Sequence, residues 1–379
     1  MSDQASPALG AAGGSRSIGL TYDGQAGDVA KIALVNSFLG LITLGIYRFW
    51  AKTRLRRYLW SHVEMDGDRF EYTGRGIELF IGFLIAGLFL GLLFGALFAG
   101  SILLDYGPGE FNPLDLIYLA IILFLIPLAL YRARRYRLSR TQWRGIRAGQ
   151  TGSAVKYAFM ALGLQLLVVL TLSLAFPYYR TVLQRYRTTN TWFGDQPLEF
   201  SGRAGPLIGK WLITLVLYPF TLGLSYFWYR TVEFRYFASE TRYAGLALRS
   251  NLEAGRVIGI VLLSGIASLV FAGLMFGIFF FVVIAAAPGL MEAGAAVDPA
   301  DPTAMLSPAV IVGYIVLLIV IITGVGLIQT ILLLHPLTEA VVESLKLEGS
   351  VDFEALRQRA GQGPQHGEGL ADAFDLSPI

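Results

Sequence analysis

The 379-residue sequence contains no cysteine, three histidines and only 15% charged residues. Without cysteine there is no disulfide framework, no thiolate zinc or iron–sulfur centre and no cysteine nucleophile. His62, His335 and His366 are scattered, so no metal site and no cofactor is expected. The shortage of charge says more. Soluble chains carry about 25% charged residues, whereas 55% of this chain is apolar and its mean hydropathy is +0.58. Too little polar material is present to face water on every side, which marks an integral membrane protein.

Seven apolar runs lie at 30–50, 77–104, 115–131, 154–176, 206–228, 256–288 and 308–335. Each is near the length of about 20 residues that spans a bilayer. None shows the period-two alternation of a transmembrane barrel strand, so helices are expected. The fold class predicted is an all-α polytopic membrane protein, an internally duplicated helical bundle with short strand-like basic connectors. His335-Pro336 reads as a helix end, because a residue before proline is pushed out of helical geometry.

Internal repetition is the strongest pattern. An Arg-Tyr pair occurs at Arg57-Tyr58, Arg135-Tyr136, Arg185-Tyr186 and Arg235-Tyr236. Eight residues after each Arg comes Met65, Trp143, Phe193 or Tyr243, with Ser or Thr alternating before it. This period of two predicts a short strand after each basic helix end. A second element is aromatic-x-Gly, at Tyr22-Asp23-Gly24, Tyr72-Thr73-Gly74, Trp143-Arg144-Gly145, Phe200-Ser201-Gly202 and Tyr243-Ala244-Gly245. There glycine is expected to supply a positive φ between strand and helix.

A shift of 178 residues superposes Thr43-Leu44-Gly45 on Thr221-Leu222-Gly223, Phe49-Trp50 on Phe227-Trp228, and Arg57-Tyr58 on Arg235-Tyr236. The same shift carries Gly87 to Gly265 and Gly95 to Gly273. The implied organisation is a disordered leader (1–20), a first membrane repeat of helix, basic connector and helical hairpin (21–150), an extra helix and connector (151–205), a second membrane repeat (206–350) and a disordered acidic tail (351–379).

The stretch Thr-Leu-Gly-Ile-Tyr-Arg-Phe-Trp-Ala-Lys at 43–52, the Arg-Tyr pair after it and the Tyr-Thr-Gly turn at 72–74 resemble the YjgN family, bacterial inner-membrane proteins built around a domain of unknown function. The resemblance covers roughly 20–350. It implies no activity and brings no catalytic residues.

Connector 132–153 holds seven arginines and no acid, whereas 105–115 and 288–307 hold only acids, so the first is placed in the cytosol and the other two outside. If all seven runs crossed, connector 177–205 would lie opposite 132–153 although both carry the Arg-Tyr element. One resolution keeps every Arg-Tyr connector inside and lets 30–50, 154–176 and 206–228 lie at the interface or re-enter; the other has seven crossings with the N-terminus outside. The positive-inside pattern and the repeat favour the first. Location in the bacterial inner membrane, multi-pass with a cytosolic C-terminus, follows.

Candidate contacts to lipid or ligand are Trp50, Arg57, Tyr58, Arg135, Tyr136, Arg185, Tyr186, Trp228, Arg235 and Tyr236, since paired arginines suit phosphate and the aromatics suit an interfacial belt. Gly87, Gly91 and Gly95, with Gly265, Gly273 and Gly277, form small-residue faces suited to helix packing. No nucleophile pattern, phosphate loop or mid-membrane carboxylate is present, so no enzyme activity is expected. The function expected is non-enzymatic engagement of anionic membrane lipids, or of a small amphipathic solute, by the cytosolic connectors. Alternatives are a transporter or channel built on re-entrant Thr-Leu-Gly segments about a pseudo-two-fold axis, and a scaffold acting through the tail. Nucleic acid is not expected as a partner; oligomeric state is left open.

Overall fold

The computed structural model of the protein describes residues 16–104, 112–292 and 308–349. Four two-residue turns fold the chain back on itself, at Asp66-Gly67, Arg144-Gly145, Gly194-Asp195 and Ala244-Gly245. Both residues have positive φ in the first, second and fourth, and Gly194 does in the third. Such turns match the right-handed twist of paired strands and favour glycine. The hairpins they make are β2 (Val63–Met65) with β3 (Asp68–Tyr72), β4 (Thr141–Trp143) with β5 (Ile146–Gln150), β6 (Thr191–Phe193) with β7 (Gln196–Phe200), and β8 (Thr241–Tyr243) with β9 (Leu246–Ser250). Two further strands, β1 (Arg16–Tyr22) and β10 (Leu345–Gly349), pair antiparallel from Arg16↔Gly349 to Gly19↔Lys346. The ten strands close into a barrel, β1-β10-β9-β8-β7-β6-β5-β4-β3-β2.

Every pair of strands that flanks a helical excursion is itself hydrogen-bonded: Tyr22↔Val63, Tyr72↔Thr141, Gln150↔Thr191, Phe200↔Thr241 and Ser250↔Leu345. The chain is therefore five successive β-α-α-β units around a ring. Unit 1 carries α1 (Ala26–Ile42) and α2 (Arg48–Ser61), and unit 2 carries α3 (Gly76–Leu103) and α4 (Pro113–Arg140). Unit 3 carries α5 (Ala154–Leu170) and α6 (Phe176–Thr189), and unit 4 carries α7 (Gly205–Leu217) and α8 (Leu224–Ser239). Unit 5 carries α9 (Ala254–Glu292) and a continuous rod of α10 (Pro308–Ile328), a π-helical segment (Gln329–Leu334) and α11 (His335–Glu343).

The protein is thus not the expected all-α bundle with two copies of one block. Strands of three to seven residues were legible only as connectors, and closure joins β1, most of which falls in the expected leader, to β10 beyond the last helix. The 178-residue shift is a step of three units. His335-Pro336 does not end a helix either. Pro336 falls in the first turn of α11, directly after the π segment, where a missing N–H costs little.

Inside the barrel the alternate residues form one apolar cluster. Ile18, Met65, Trp143 and Leu246 are buried, with Leu20, Phe70, Phe193, Tyr243 and Leu347 packed against them. Trp143 Nε1 donates to the Asp68 carbonyl at 3.2 Å and Tyr243 Oη to the Phe193 carbonyl at 3.0 Å, so neither buried polar tip is left unpaired. Below the barrel, the residue after the aromatic of each long strand (Gln150 and Ser250 in units 3 and 5) ties the unit shut. The backbone N–H groups of Asp23, Thr73, Thr151, Ser201 and Asn251 donate to the carbonyls of His62, Arg140, Asn190, Glu240 and Ser344.

The glycines after the aromatics are needed for space and not for φ. A Cβ on Gly74 would sit 2.5 Å from Tyr72 Oη, and one on Gly202 would sit 2.5 Å from Phe200 Cζ; neither residue has positive φ. Trp143-Arg144-Gly145 and Tyr243-Ala244-Gly245 belong to the hairpin turns instead, where φ is positive.

Three units turn back after a short helix, through the same device. Thr43, Thr171 and Thr221 each donate Oγ1 to the carbonyl four residues earlier (2.7, 2.7 and 2.8 Å) and accept from the N–H four residues later (2.9, 3.1 and 3.1 Å). The two residues after each threonine have positive φ. The leucine at each tip is bare: Leu44 is 93% exposed, Leu172 85% and Leu222 94%. α3, α4, α9 and the α10–α11 rod are by contrast long and apolar enough to cross a membrane. Their connections, and with them most of the acidic loops 105–115 and 288–307, lie outside the described residues, as do the tail and residues 1–15 of the expected leader.

Among the described residues, the glycine faces meet no neighbouring helix. A Cβ on Gly87, Gly91, Gly95, Gly265, Gly273 or Gly277 would meet no heavy atom within 4 Å. Close approach occurs at Gly76, where a Cβ would lie 2.7 Å from Trp50 Cγ and 2.8 Å from its Cα. Gly76→Ala is accordingly expected to cost about 1–3 kcal/mol by overpacking, whereas Gly91→Ala is expected to be neutral or stabilising by about 0.5–1 kcal/mol. Unfolding midpoints of the two variants in one detergent check the contrast.

Candidate functional site

The second helix of each unit lines the space beneath the barrel, and its residues divide by direction. Consecutive helical positions are about 100° apart, so the Arg of an Arg-Tyr pair and its neighbours point different ways. Arg57 donates to the carbonyl of Gly74 (3.3 Å), Arg185 to that of Gly202 (2.7 Å) and Arg135 to that of Gly152. Each receiving glycine lies in the turn of the next unit. The tyrosines grip the turn of their own unit: Tyr58, Tyr186 and Tyr236 accept from the N–H groups of Gln25 (2.9 Å), Ser153 (3.0 Å) and Arg203 (2.8 Å). Tyr136 departs from this and donates to Glu78 at 2.6 Å, beside the Arg140–Glu78 pair at 3.0 Å. Arg235 is exposed. Three of the four arginines therefore staple neighbouring units and three of the tyrosines close their own, a positional role that spacing alone does not reveal. Trp50 packs on Gly76 and Phe80, and Trp228 against the α7–α8 cluster around Tyr229.

The residues that converge on a cavity are others. A space of about 450 Å³ between α4, α5, α6 and α8 is lined by Arg134, Arg137, Arg180, Arg187 and Arg230, together with Tyr131, Tyr157, Tyr179 and Gln165; its remaining wall is apolar. No carboxylate lines it. The nearest counter-charge is Glu233, only 2% exposed, which accepts from Arg180 Nε at 3.1 Å and Nη2 at 3.2 Å and also pairs with Arg230. Arg187 donates Nη2 to Gln184 at 2.9 Å, but its Nε has no partner among the described residues, and neither has Nε of Arg134. Burial, and next the guanidinium of Arg180, hold Arg230 below the ordinary arginine range while Glu233 pulls the other way.

Five guanidiniums around one buried carboxylate leave an excess of positive charge in a site where water screens weakly. Planar forks with spare N–H groups suit a multi-oxygen anion such as a phosphate. The described residues contain no cluster of three or more metal-ligating side chains.

Residues 17–220 match a bacterial family of unknown function, DUF898. The chain belongs to this family. Among curated relatives, it is 28% identical over 131 residues to the inner membrane protein YjgN of Salmonella typhimurium, covering 34% of this chain and 30% of that protein. It is 43% identical over 53 residues to the inner membrane protein YjgN of Escherichia coli K12, covering 14% of this chain and 13% of that one. The alignments thus span less than a third of the length of these relatives. No solved structure matches. With four apolar helices of spanning length, the protein is a membrane protein of unknown function, similar to known inner-membrane proteins.

The DUF898 region takes in units 1 to 3 and α7. It contains Arg134, Arg137, Arg180 and Arg187 but stops short of Arg230 and Glu233. The sequence carried a signal for this cavity, since Arg137 and Arg187 are 50 residues apart, as are Arg180 and Arg230. The Arg-Tyr pairs share that period; Arg137 and Arg187 follow their pairs by one position, and Arg180 and Arg230 precede theirs by five.

Glu233 holds the cluster together. Glu233→Ala is expected to cost about 3–5 kcal/mol, the usual effect of stripping a buried charge of its partner, while Glu253→Ala at an exposed site should stay within about 0.5 kcal/mol. Thermal unfolding in detergent distinguishes the two.

Proposed function

We propose that the protein binds an anionic headgroup of phosphate type in the cavity between α4, α5, α6 and α8, and does so without catalysing a reaction. The observation that carries this reading is the guanidinium of Arg134, which lines a carboxylate-free cavity with its Nε unpaired beside Arg137 and Arg187. Repulsion among like charges in a low-dielectric site is relieved when an anion enters. Arg132, on α4, is exposed and suits contact with anionic lipid, contributing about 1 kcal/mol.

In this reading the barrel and all its hairpins lie on the cytosolic side, together with the C-terminus. Antiparallel pairing returns every unit to the face it left, which agrees with the basic connectors being alike. The four long helices cross the bilayer. A helix of 28 residues reaches about 42 Å and one of 17 about 25 Å. The three short hairpins therefore enter the hydrocarbon and turn back within it, with Leu44, Leu172 and Leu222 at their tips.

Two measurements test these points. Hexadecyl phosphate is expected to bind the purified protein in native mass spectrometry, and Arg134→Gln with Arg187→Gln should weaken it at least tenfold. Binding of inorganic phosphate alone would point to a free anion as the source, and equal binding by variant and wild type would remove the site. For orientation, a single cysteine at exposed Asp195 should react with an impermeant thiol reagent only from the cytosolic face, and one at Leu172 from neither face; labelling of Asp195→Cys in intact cells would reverse the placement.

A further inference from the structure

A second cavity of about 930 Å³ lies under the barrel floor and is also bordered by α8. Leu20, Val63 and Phe70 of the barrel strands close its top, and Leu59, Phe234 and Leu337 are among its walls. Its polar side chains are Gln329, Thr330 and Thr338. It is half-open and lined chiefly by aliphatic and aromatic groups, and its volume lies in the range of ligand sites.

The two cavities occupy the same tier of the ring. Counting from the Arg-Tyr arginine, or from Glu339 at that place in unit 5, the position five residues earlier is Lys52, Leu130, Arg180, Arg230 and Leu334 in units 1 to 5. The position two residues later is Leu59, Arg137, Arg187, Phe237 and Val341. The first position is thus arginine in units 3 and 4, leucine in units 2 and 5 and lysine in unit 1, and the second is arginine in units 2 and 3 and apolar in units 1, 4 and 5. α8 belongs to both sectors: Arg230 lines the basic cavity and Phe234, one turn and about 6 Å further along, lines the apolar one.

The apolar wall also contains an irregularity. Gln329, Thr330, Leu333 and Leu334 come from the π-helical segment between α10 and α11, and Gln329 Nε2 donates to Ser268 on α9 at 2.9 Å. π segments cost helix regularity and recur at functional sites. Here the segment sets the shape of the cavity.

We infer that the two cavities hold the two ends of one ligand, a phosphate-type anion carrying a single long hydrocarbon chain. This rests on the reading of the arginine cavity as the headgroup site. The head sits against Arg134, Arg187 and Arg230, and the chain runs past Phe234 beneath the barrel, which blocks it from going further. An inorganic anion would leave the apolar cavity empty, and a neutral lipid would leave the arginines unmatched. A single chain joined to an anion satisfies both.

Trp60 lines the apolar cavity and reports on it. A brominated octadecyl phosphate is expected to quench tryptophan fluorescence saturably, with the saturable part lost in Trp60→Phe and competed by hexadecyl phosphate but not by inorganic phosphate. Leu337→Trp, which fills the cavity, should weaken hexadecyl phosphate at least tenfold and leave ethyl phosphate unchanged; if that variant does not fold, the Trp60 signal decides. Arginine-dependent binding without Trp60 quenching overturns the two-ended ligand and leaves the headgroup site standing. Binding indifferent to Arg134→Gln and Arg187→Gln overturns both.

Discussion

Closure of the ten-stranded barrel is the constraint from which the rest of the architecture follows. A strand in a closed antiparallel ring needs a partner on each side, so no unit can end on the face opposite the one where it began. Each pair of helices must leave the ring and return to it. Four of these helices are long and apolar enough to cross a membrane, and the short ones turn back at a threonine-capped break. Repetition of the connectors on one face of the ring is what such hairpins produce.

Ring closure also decides what each arginine does. The second helix of a unit runs down to the barrel, and its face toward the axis is surrounded by the equivalent faces of the other units. A guanidinium turned sideways reaches the next unit's turn, as Arg57 and Arg185 do, and becomes structural. One turned inward, as Arg134 and Arg187 are, enters a space shared with arginines of other units. Burying such groups without a matching carboxylate is unfavourable for the empty protein. The apolar sector formed by Leu59, Phe234 and Leu337 beside it is favourable for folding but incompletely filled. An arrangement of this kind trades stability for a site.

Several local features could be read directly. The Ser/Thr and aromatic alternation before Met65, Trp143, Phe193 and Tyr243 does mark short strands, because period two is a property of the backbone itself. The Thr-Leu-Gly block does mark a break, and its third copy, Thr171-Leu172-Ser173, has serine in place of glycine and so lacks the motif. The aromatic-x-Gly spacing locates the turns but not the reason for the glycine: Gly74 is small to admit the ring of Tyr72. The spacing of Gly87, Gly91 and Gly95 suits a packing face, yet among the described residues these three meet no other helix.

By itself the sequence determined membrane residence, the helical runs, the strand-and-turn punctuation and the family, since each depends on composition or on spacing within a few tens of residues. Only the tertiary structure decided that five units close a barrel and that Arg134, Arg137, Arg180, Arg187 and Arg230 share one cavity. Pairing of Arg16–Tyr22 with Leu345–Gly349 joins the two ends of the described chain, and no local pattern encodes a contact at that separation. The cavity follows from that pairing, because the direction of an inner-helix side chain acquires a meaning only once the ring gives the helices a common axis.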